Sequence, residues 1–297
     1  MLPAAFRWVS RVQPAIGPEQ GGYFEITPSA VKSVERRYIP GTNVLETTFQ
    51  TETEIATLTV FMPLHHHPGP TAPLEAGAGQ RVARILDCTQ GSVDFSMSCY
   101  PRFDYGAIIP NAVVSGPHNG FAHGGAEELS IYSSLPITVA GDGFQLTGEL
   151  TAGRRFHASV SNQNSFPHQG EEVDAGLLDE ELAQTVAAWR EWSEICTYTG
   201  PYRDDVLRSA LVLMALTYAP SGDLVAAATT SLPETIGGSR NWDYRFTWLR
   251  DAASPYMPFP LSVTPKKPMP TNSGWSGARR EGRETCRSCT DWLVSGA

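Results

Sequence analysis

Residues 33–62, SVERRYIPGTNVLETTFQTETEIATLTVFM, decide the fold expected for the first half of the chain. Within them, three segments alternate with a period close to two: Ser33–Tyr38, Val44–Thr51 and Ile55–Met62. These segments are rich in Val, Ile, Thr, Phe and Tyr, and the turn pair Pro40-Gly41 separates the first two. The pattern predicts short β-strands joined by turns.

The same short period extends from about Gly21 to Ser161. Six further segments have the composition of strands: Arg81–Cys88, Val93–Tyr100, Leu129–Tyr132, Ile137–Val139, Phe144–Leu150 and Arg155–Val160. Many short strands with frequent turns and no intervening helix predict an antiparallel β-sandwich, to which we assign residues 1–170. Leu64–Gly79, which contains several prolines and glycines, is predicted to be a long surface loop.

The periodicity changes after Gly170. Apolar residues then recur every three or four positions, which predicts a linker helix within residues 171–200 with one buried stripe: Leu178, Leu182, Val186, Trp189, Trp192 and Ile195. A second helix is predicted over Tyr202–Tyr218, before Pro220-Ser221-Gly222, and its buried stripe is Val206, Ala210, Leu213 and Leu216. Residues 201–253 therefore begin an α-helical domain, and the chain is predicted to be an α+β multidomain protein.

Composition excludes several classes of function. A net charge of −9 argues against non-specific binding to nucleic acid or to an anionic membrane surface. We find no apolar segment of transmembrane length and no signal-peptide pattern. The five cysteines are few, and odd in number, for a disulfide framework, so we predict a cytoplasmic protein.

Residues 241–252, NWDYRFTWLRDA, combine four aromatic rings, two guanidinium groups and two carboxylates in twelve positions. A pyranose sugar has an apolar C–H face that packs on aromatic rings and a rim of hydroxyls that suits Arg and Asp. The stretch is therefore a candidate carbohydrate site, and a buried aromatic helix with an internal Arg–Asp pair, which periodicity alone favours, is the alternative explanation.

Four stretches resemble glycoside hydrolase family 15, which contains bacterial glucoamylase-like and trehalase-like enzymes. They are SLPETIGGSRNWDYRFTWLRDAA (231–253), GPYRDDVLRSALVLMALTYAPSGDLVAAATTSLPE (200–234), YIPGTNVLETTFQT (38–51) and PRFDYG (101–106). The resemblance implies an N-terminal super-β-sandwich, a linker helix and the first helices of an (α/α) six-hairpin barrel. It also implies hydrolysis of α-glucosidic bonds with inversion, an α-linked glucoside as the substrate, and no cofactor.

The resemblance also implies roles for particular residues. The family motif Tyr-x-x-x-Trp-x-Arg-Asp, which lines the subsite for the terminal glucose, matches Tyr244, Trp248, Arg250 and Asp251. Arg250 and Asp251 would hold glucose hydroxyls, while Tyr244 and Trp248 would shape the pocket around the ring. Their i, i+4 and i+7 spacing predicts that Tyr244, Trp248 and Asp251 lie along one helical stripe.

The two catalytic groups are not assigned to any residue. An inverting glycosidase needs a carboxylic acid and a carboxylate base, which in the family are glutamates on later barrel segments. Glu281 and Glu284 lie in an aberrant tail, residues 254–297, without matching context. We hypothesise that a frameshift near Ser254 produced this tail, because codons for Val263–Thr271 read one nucleotide out of register can encode a capped helix start.

We therefore expect a truncated hydrolase that keeps part of the glucose subsite and is inactive alone. The alternatives are a non-catalytic carbohydrate-binding or assembly β-sandwich module and a pseudogene product without a role. The sequence leaves the oligomeric state open.

Three smaller motifs have structural explanations. Consecutive histidines at 65–67 favour a solvated loop, because neighbouring side chains diverge and no acidic or Cys ligand follows at metal spacing, so no metal is predicted. Cys286-x-x-Cys289 lies in the tail and has no second CxxC partner. Within PRFDYG, Arg102 and Asp104 are predicted to form a pair that fixes a turn, in a sheet domain without another polar cluster nearby.

Overall fold

The computed structural model describes residues 21–65, 75–76, 81–163, 173–194, 196–218, 223–228, 234–235, 237–240, 242, 244 and 246–248. They fall into two compact units whose sequence boundary lies between Glu191 and Trp192. The first unit contains most of the strands, and the second contains a helix and a short hairpin. No helix among these residues is long and apolar enough to cross a membrane.

The first unit contains two antiparallel sheets. One has four strands in the order β1-β8-β13-β12, namely Tyr23–Pro28, Ser92–Tyr100, Gly143–Thr151 and Thr138–Ala140. The other has eight strands in the order β2-β3-β4-β7-β14-β11-β10-β9. Their bounds are Ser33–Tyr38, Leu45–Gln50, Ile55–Phe61, Arg81–Gln90, Arg155–Gln163, Glu127–Ser133, Asn119–Gly124 and Asn111–Val114.

The hydrophobic core lies between these two sheets, because alternate residues of each strand point to one face. From the four-stranded sheet come Phe95 and Phe144, and from the eight-stranded sheet come Leu86 and Phe156, all almost fully buried. The rings of Phe95 and Phe156 meet across the interface with their centroids 4.7 Å apart. The predicted sandwich is therefore observed in the first unit.

All nine predicted strands are present, with boundaries that differ by up to three residues. Three strands that the sequence analysis did not predict complete the sheets: β1, β9 and β10. Leu64–Gly79 was predicted to be a loop without strands, and this is wrong at two places. Leu64–His65 (β5) pairs with Glu75–Ala76 (β6). Residues 66–74 and 77–79 of the predicted loop lie outside the described residues.

The predicted linker helix is α1, Ala175–Glu194, but its buried stripe differs from the predicted one. Leu182 and Val186 are only partly buried. Leu178 and Trp189 of the predicted stripe are buried, Trp192 is partly buried, and Ile195 lies outside the described residues. The other buried positions of α1 are Glu181, Thr185, Ala188 and Ser193. Two polar contacts explain this rotation. The Glu181 carboxylate lies 2.7 Å from Arg81 Nη1 of β7, and the Leu64 N–H donates to Thr185 Oγ1 at 3.0 Å.

The second unit begins with the end of α1 and contains α2, Arg203–Ala215, which corresponds to the predicted helix over Tyr202–Tyr218. The buried residues of α2 are Leu207, Ala210 and Leu211, whereas Leu213, which was predicted to be buried, is exposed. Two short strands follow and pair with each other: β15, Thr217–Tyr218, and β16, Asp223–Leu224.

Candidate functional site

The segment that contains the predicted sugar-binding residues is attached to the end of α2 by main-chain hydrogen bonds. The Val225 N–H donates to the Leu216 carbonyl at 3.1 Å, which places residues 225–227 beside the helix end. The next two amides of this segment then donate to carbonyls of the aromatic segment. Ala226 donates to the Phe246 carbonyl at 3.2 Å and Ala227 to the Tyr244 carbonyl at 2.9 Å.

The rings of Tyr244 and Trp248 are stacked, with centroids 5.4 Å apart and planes inclined by 13°. Both residues are half-buried. Two other aromatic residues of the same segment are more exposed, with 37% of Trp242 and 53% of Phe246 accessible to solvent. The segment therefore presents one stacked ring pair and two outward rings.

The predicted helical stripe is wrong for the described positions of this segment. Residue 244 lies in a turn, residue 246 in a bend, and residues 242, 247 and 248 have no regular structure. In an α-helix the Tyr244 carbonyl would accept from the amide four residues later. Here it accepts from Ala227 instead, so a bend rather than a helix brings the rings of Tyr244 and Trp248 together.

A small turn lies between these two segments. The Glu234 N–H donates to the Arg240 carbonyl at 3.1 Å, and the Gly238 N–H donates to the Thr235 carbonyl at 2.9 Å. Gly237 has a φ of 77°, in the left-handed region that glycine adopts without steric cost. The exposed side chains of Arg240 and Glu234 come within 3.5 Å of each other.

Several residues predicted from the sequence lie outside the described residues: Arg250, Asp251, Glu281, Glu284, Cys286, Cys289, His66 and His67. Of the four predicted sugar-binding residues, Tyr244 and Trp248 are described and are in contact. Within the part of the chain that the structure describes, no group of three or more His, Cys, Asp or Glu side chains is placed to hold a metal ion. Cys88, Cys99 and Cys196 are buried free thiols.

The predicted pair of Arg102 and Asp104 is wrong. Arg102 is 9% exposed, and its Nη2 lies 2.8 Å from Asp142 Oδ2, so its partner comes from the turn that precedes β13. Asp104 begins a 3-10 turn, Asp104–Gly106, with a φ of 46°. Asp is among the residues that tolerate this left-handed conformation. The turn is thus held by its own backbone, where Ala107 N–H donates to the Asp104 carbonyl.

Arg102 also has polar and aromatic neighbours that the sequence analysis did not anticipate. The rings of Tyr23 and Tyr100 are stacked beside it, with centroids 5.1 Å apart. Gln145 Nε2 donates to the Tyr100 hydroxyl at 2.6 Å. These residues are scattered through the sequence and come together only because β1 and β13 both pair with β8. Strand alternation could have shown that these side chains point away from the core. Which of them are neighbours could be predicted only once the order of the strands in the sheet was known.

Comparison with known proteins finds a family match within the C-terminal third of the chain. Residues 200–257 match the family model described as glycosyl hydrolases family 15. The chain is 34% identical over 256 residues to the trehalase of Mycolicibacterium smegmatis, which covers 80% of this chain and 38% of the relative. It is also 34% identical over 238 residues to the trehalase of Thermoplasma volcanium, covering 79% of this chain and 36% of that relative. The chain thus spans less than two fifths of the length of these curated relatives.

Among solved structures, the fold resembles that of a bacterial glucoamylase crystallised with acarbose. The TM-score is 0.50 at 11% sequence identity, and the match covers 77% of this chain and 40% of the other. At this identity the likeness concerns the fold alone.

Proposed function

We propose that this chain, which belongs to glycoside hydrolase family 15, contributes the glucose-holding part of a pocket for α-linked glucosides. One observation carries the proposal. Tyr244 and Trp248 are stacked and half-buried, and hydrogen bonds to Ala226 and Ala227 anchor their segment inside the stretch that matches the family model. Relatives named trehalases support a glucoside as the ligand.

The proposed division of labour follows from the chemistry of the side chains. The indole of Trp248 and the phenol of Tyr244 offer apolar faces to the C–H groups of a pyranose. Arg250 donates hydrogen bonds to sugar hydroxyls, and Asp251 accepts them. The Tyr244 hydroxyl adds a group that both donates and accepts.

The domain organisation belongs to the same proposal. Residues 1–170 form the sandwich domain, residues 171–200 the linker, residues 201–253 the start of an (α/α) barrel, and residues 254–297 an aberrant tail. The exposed apolar side chains Val212 and Leu213 on α2 support a helix built to pack against further helices. The protein acts in the cytoplasm in this proposal.

We expect this 297-residue chain to bind glucosides without cleaving them. Single-displacement hydrolysis needs one carboxylic acid to protonate the leaving oxygen and one carboxylate to activate water, and it needs no cofactor. Neither Glu281 nor Glu284 lies in a sequence context that matches the family's catalytic glutamates. A chain that lacked both groups would hold the sugar without activating its glycosidic bond.

The test is incubation of the purified chain with trehalose, maltose and soluble starch. We expect no glucose above the blank, and release of glucose that disappears on heat inactivation would refute the proposal. Binding is measured in parallel by calorimetric titration with maltotriose. Trp248→Ala is expected to weaken binding at least tenfold, whereas Trp242→Ala, at an exposed tryptophan of the same segment, is the matched control and should change it little.

A non-catalytic carbohydrate-binding sandwich module is the second candidate function. The stacked tyrosines beside Arg102 favour it, because they lie in the first unit and share no residue with the Tyr244–Trp248 pair. Sugar binding that Trp248→Ala leaves entirely unchanged would favour this candidate over the first.

A further inference from the structure

The solvent-facing side of the four-stranded sheet carries a polar and aromatic surface. Residues of β1, β8 and β13 that alternate with the buried core positions point to this side. The register places Tyr23 opposite Tyr100, and both Glu25 and Gln145 opposite Ser98. Because β8 lies between β1 and β13, the outward side chains of the three strands form one continuous surface.

Two glycines lie next to the tyrosine pair, and Gly143 contacts one of the rings. Gly143 lies beneath Tyr100, since a Cβ at position 143 would come within 2.6 Å of Tyr100 Cδ1 and 2.4 Å of the Cys99 carbonyl oxygen. Gly22 precedes Tyr23 with a φ of 60°, and a Cβ there would lie 3.0 Å from the Tyr100 carbonyl oxygen and the Arg102 amide. The Tyr100 ring therefore packs against Gly143 and stacks on Tyr23.

Hydrogen-bonding groups of several kinds surround the pair. The Tyr100 hydroxyl accepts from Gln145 Nε2, and Arg102 is paired with Asp142, whose carboxylate remains 31% exposed. Burial raises the pKa of the Tyr23 phenol above its usual value; Tyr100 and Glu25 raise it further, and Arg102 lowers it. The Tyr23 hydroxyl therefore remains a donor at neutral pH, close to both carboxylate and guanidinium groups.

A cross-strand aromatic pair by itself stabilises a sheet, and that is the simplest explanation of Tyr23 and Tyr100. It accounts for the stacking but not for the composition of the rim. Arg102 and Asp142 are held in an ion pair at the same end of the sheet, and Gln145 orients the Tyr100 hydroxyl. A fixed ring beside an amide, a carboxylate and a guanidinium is the combination that recognises a neutral polyhydroxylated ligand, as in sugar sites.

We infer that this surface, defined by Tyr23, Tyr100, Arg102, Asp142 and Gln145, is an oligosaccharide-binding site of the sandwich. The exposed side of the Tyr23 ring packs against the C–H face of one sugar unit. The Asp142 carboxylate accepts from adjacent hydroxyls, and the Gln145 amide completes the rim. The site deepens the second candidate function by naming its residues, and the choice of an α-glucan as probe rests on the proposed function.

The experiment titrates the full chain with maltoheptaose by calorimetry in a Trp248→Ala background, where the Tyr244–Trp248 pair is disabled. We expect measurable binding that Tyr23→Ala weakens at least tenfold and Tyr23→Phe, which keeps the ring, weakens less than threefold. Asp142→Asn is expected to weaken it severalfold. Tyr38→Ala is the matched control, because Tyr38 is a 48% exposed tyrosine on β2 of the other sheet.

The outcomes separate this inference from the proposed function. Absence of maltoheptaose binding in the Trp248→Ala chain, or equal losses for Tyr23→Ala and Tyr38→Ala, would overturn the sandwich site. If the affinity and stoichiometry of maltoheptaose binding are the same in the parent and Trp248→Ala chains, and Tyr23→Ala abolishes the binding, the proposed pocket is overturned and the sandwich site is supported. Loss of one binding event in the Trp248→Ala chain, with Tyr23→Ala removing the other, supports both sites. Thermal unfolding of each variant shows whether a loss comes from the site or from the fold, since Tyr23→Phe and Asp142→Asn leave the packing almost unchanged.

Discussion

The ion pair between Arg81 and Glu181 gives the sharpest test of how the linker helix docks on the sandwich. Their side chains are 4% and 5% exposed, and Arg81 Nη1 lies 2.7 Å from Glu181 Oε1. Removing either partner leaves a charge in a site that water does not reach. We therefore expect Arg81→Met and Glu181→Leu each to lower the free energy of unfolding by about 3–5 kcal/mol.

The double variant is the informative member of the cycle. When both charges are replaced by apolar side chains of similar length, no buried charge remains. The Arg81 Nε, which makes no hydrogen bond within the described residues, also disappears. We expect the double variant to recover most of the lost stability and to lie within about 1 kcal/mol of the parent.

The assay is urea unfolding followed by tryptophan fluorescence, to which Trp189, buried on the same helix, contributes. With a slope of about 2 kcal/mol per molar urea, each single variant should lower the midpoint by about 2 M. Arg155→Met is the matched control, because Arg155 also pairs with a carboxylate of α1, Asp179, but is 49% exposed. Its loss should cost no more than about 1 kcal/mol. Equal effects of Arg81→Met and Arg155→Met would refute the reasoning.

Three further predictions concern other parts of the chain. Burial raises the pKa of the Cys99 thiol to about 12. Native Cys99 should therefore react with iodoacetamide at pH 8 about a thousandfold more slowly than an ordinary thiol, which labelling followed by mass spectrometry checks. Because the thiol must stay protonated in the folded protein, the free energy of unfolding should fall as the pH rises from about 9 towards 12, which urea unfolding at each pH checks. Phe156→Ala, which removes the ring against Phe95, should lower the free energy of unfolding by about 3–5 kcal/mol in the same urea assay. Ala227→Pro removes the N–H that donates to the Tyr244 carbonyl, so the near-ultraviolet circular dichroism of the stacked rings should diminish, and an unchanged spectrum would contradict the anchoring role.

The sequence predicted the sandwich because alternation is strong wherever a strand has one buried face. It failed at β10, Asn119–Gly124, for a physical reason. Gly120 and Gly124 occupy core-facing positions because rings from elsewhere fill the space: a Cβ at either would lie 2.5 Å from an atom of Phe144 or Phe103. A strand whose inward residues are two glycines and an alanine, Ala122, shows no clear apolar period, so single-sequence periodicity cannot find it.

The linker helix shows a second limit of periodicity. The apolar stripe predicted its existence and length, but the buried face is rotated toward Glu181 and Thr185. Sequence rules place a glutamate outside, because a lone carboxylate is costly to bury. Arg81, one hundred positions earlier, removes that cost by pairing with it. Such a partner is identified only once the sheet is assembled.

At the candidate site, the sequence predicted a contact between two residues but not the backbone structure that produces it. The four-residue spacing of Tyr244 and Trp248 correctly predicted that their rings are in contact. It predicted a helix as the cause of this contact, whereas the described residues of the segment form a turn and a bend. The Tyr244 carbonyl is turned away from its own segment to accept from Ala227, so the ring stack depends on tertiary hydrogen bonds to residues after β16. A site held in this way changes whenever residues 225–227 move. The conformation of the aromatic pair is therefore coupled to the end of α2, to which Val225 is bonded, more than to the helical propensity of its own sequence.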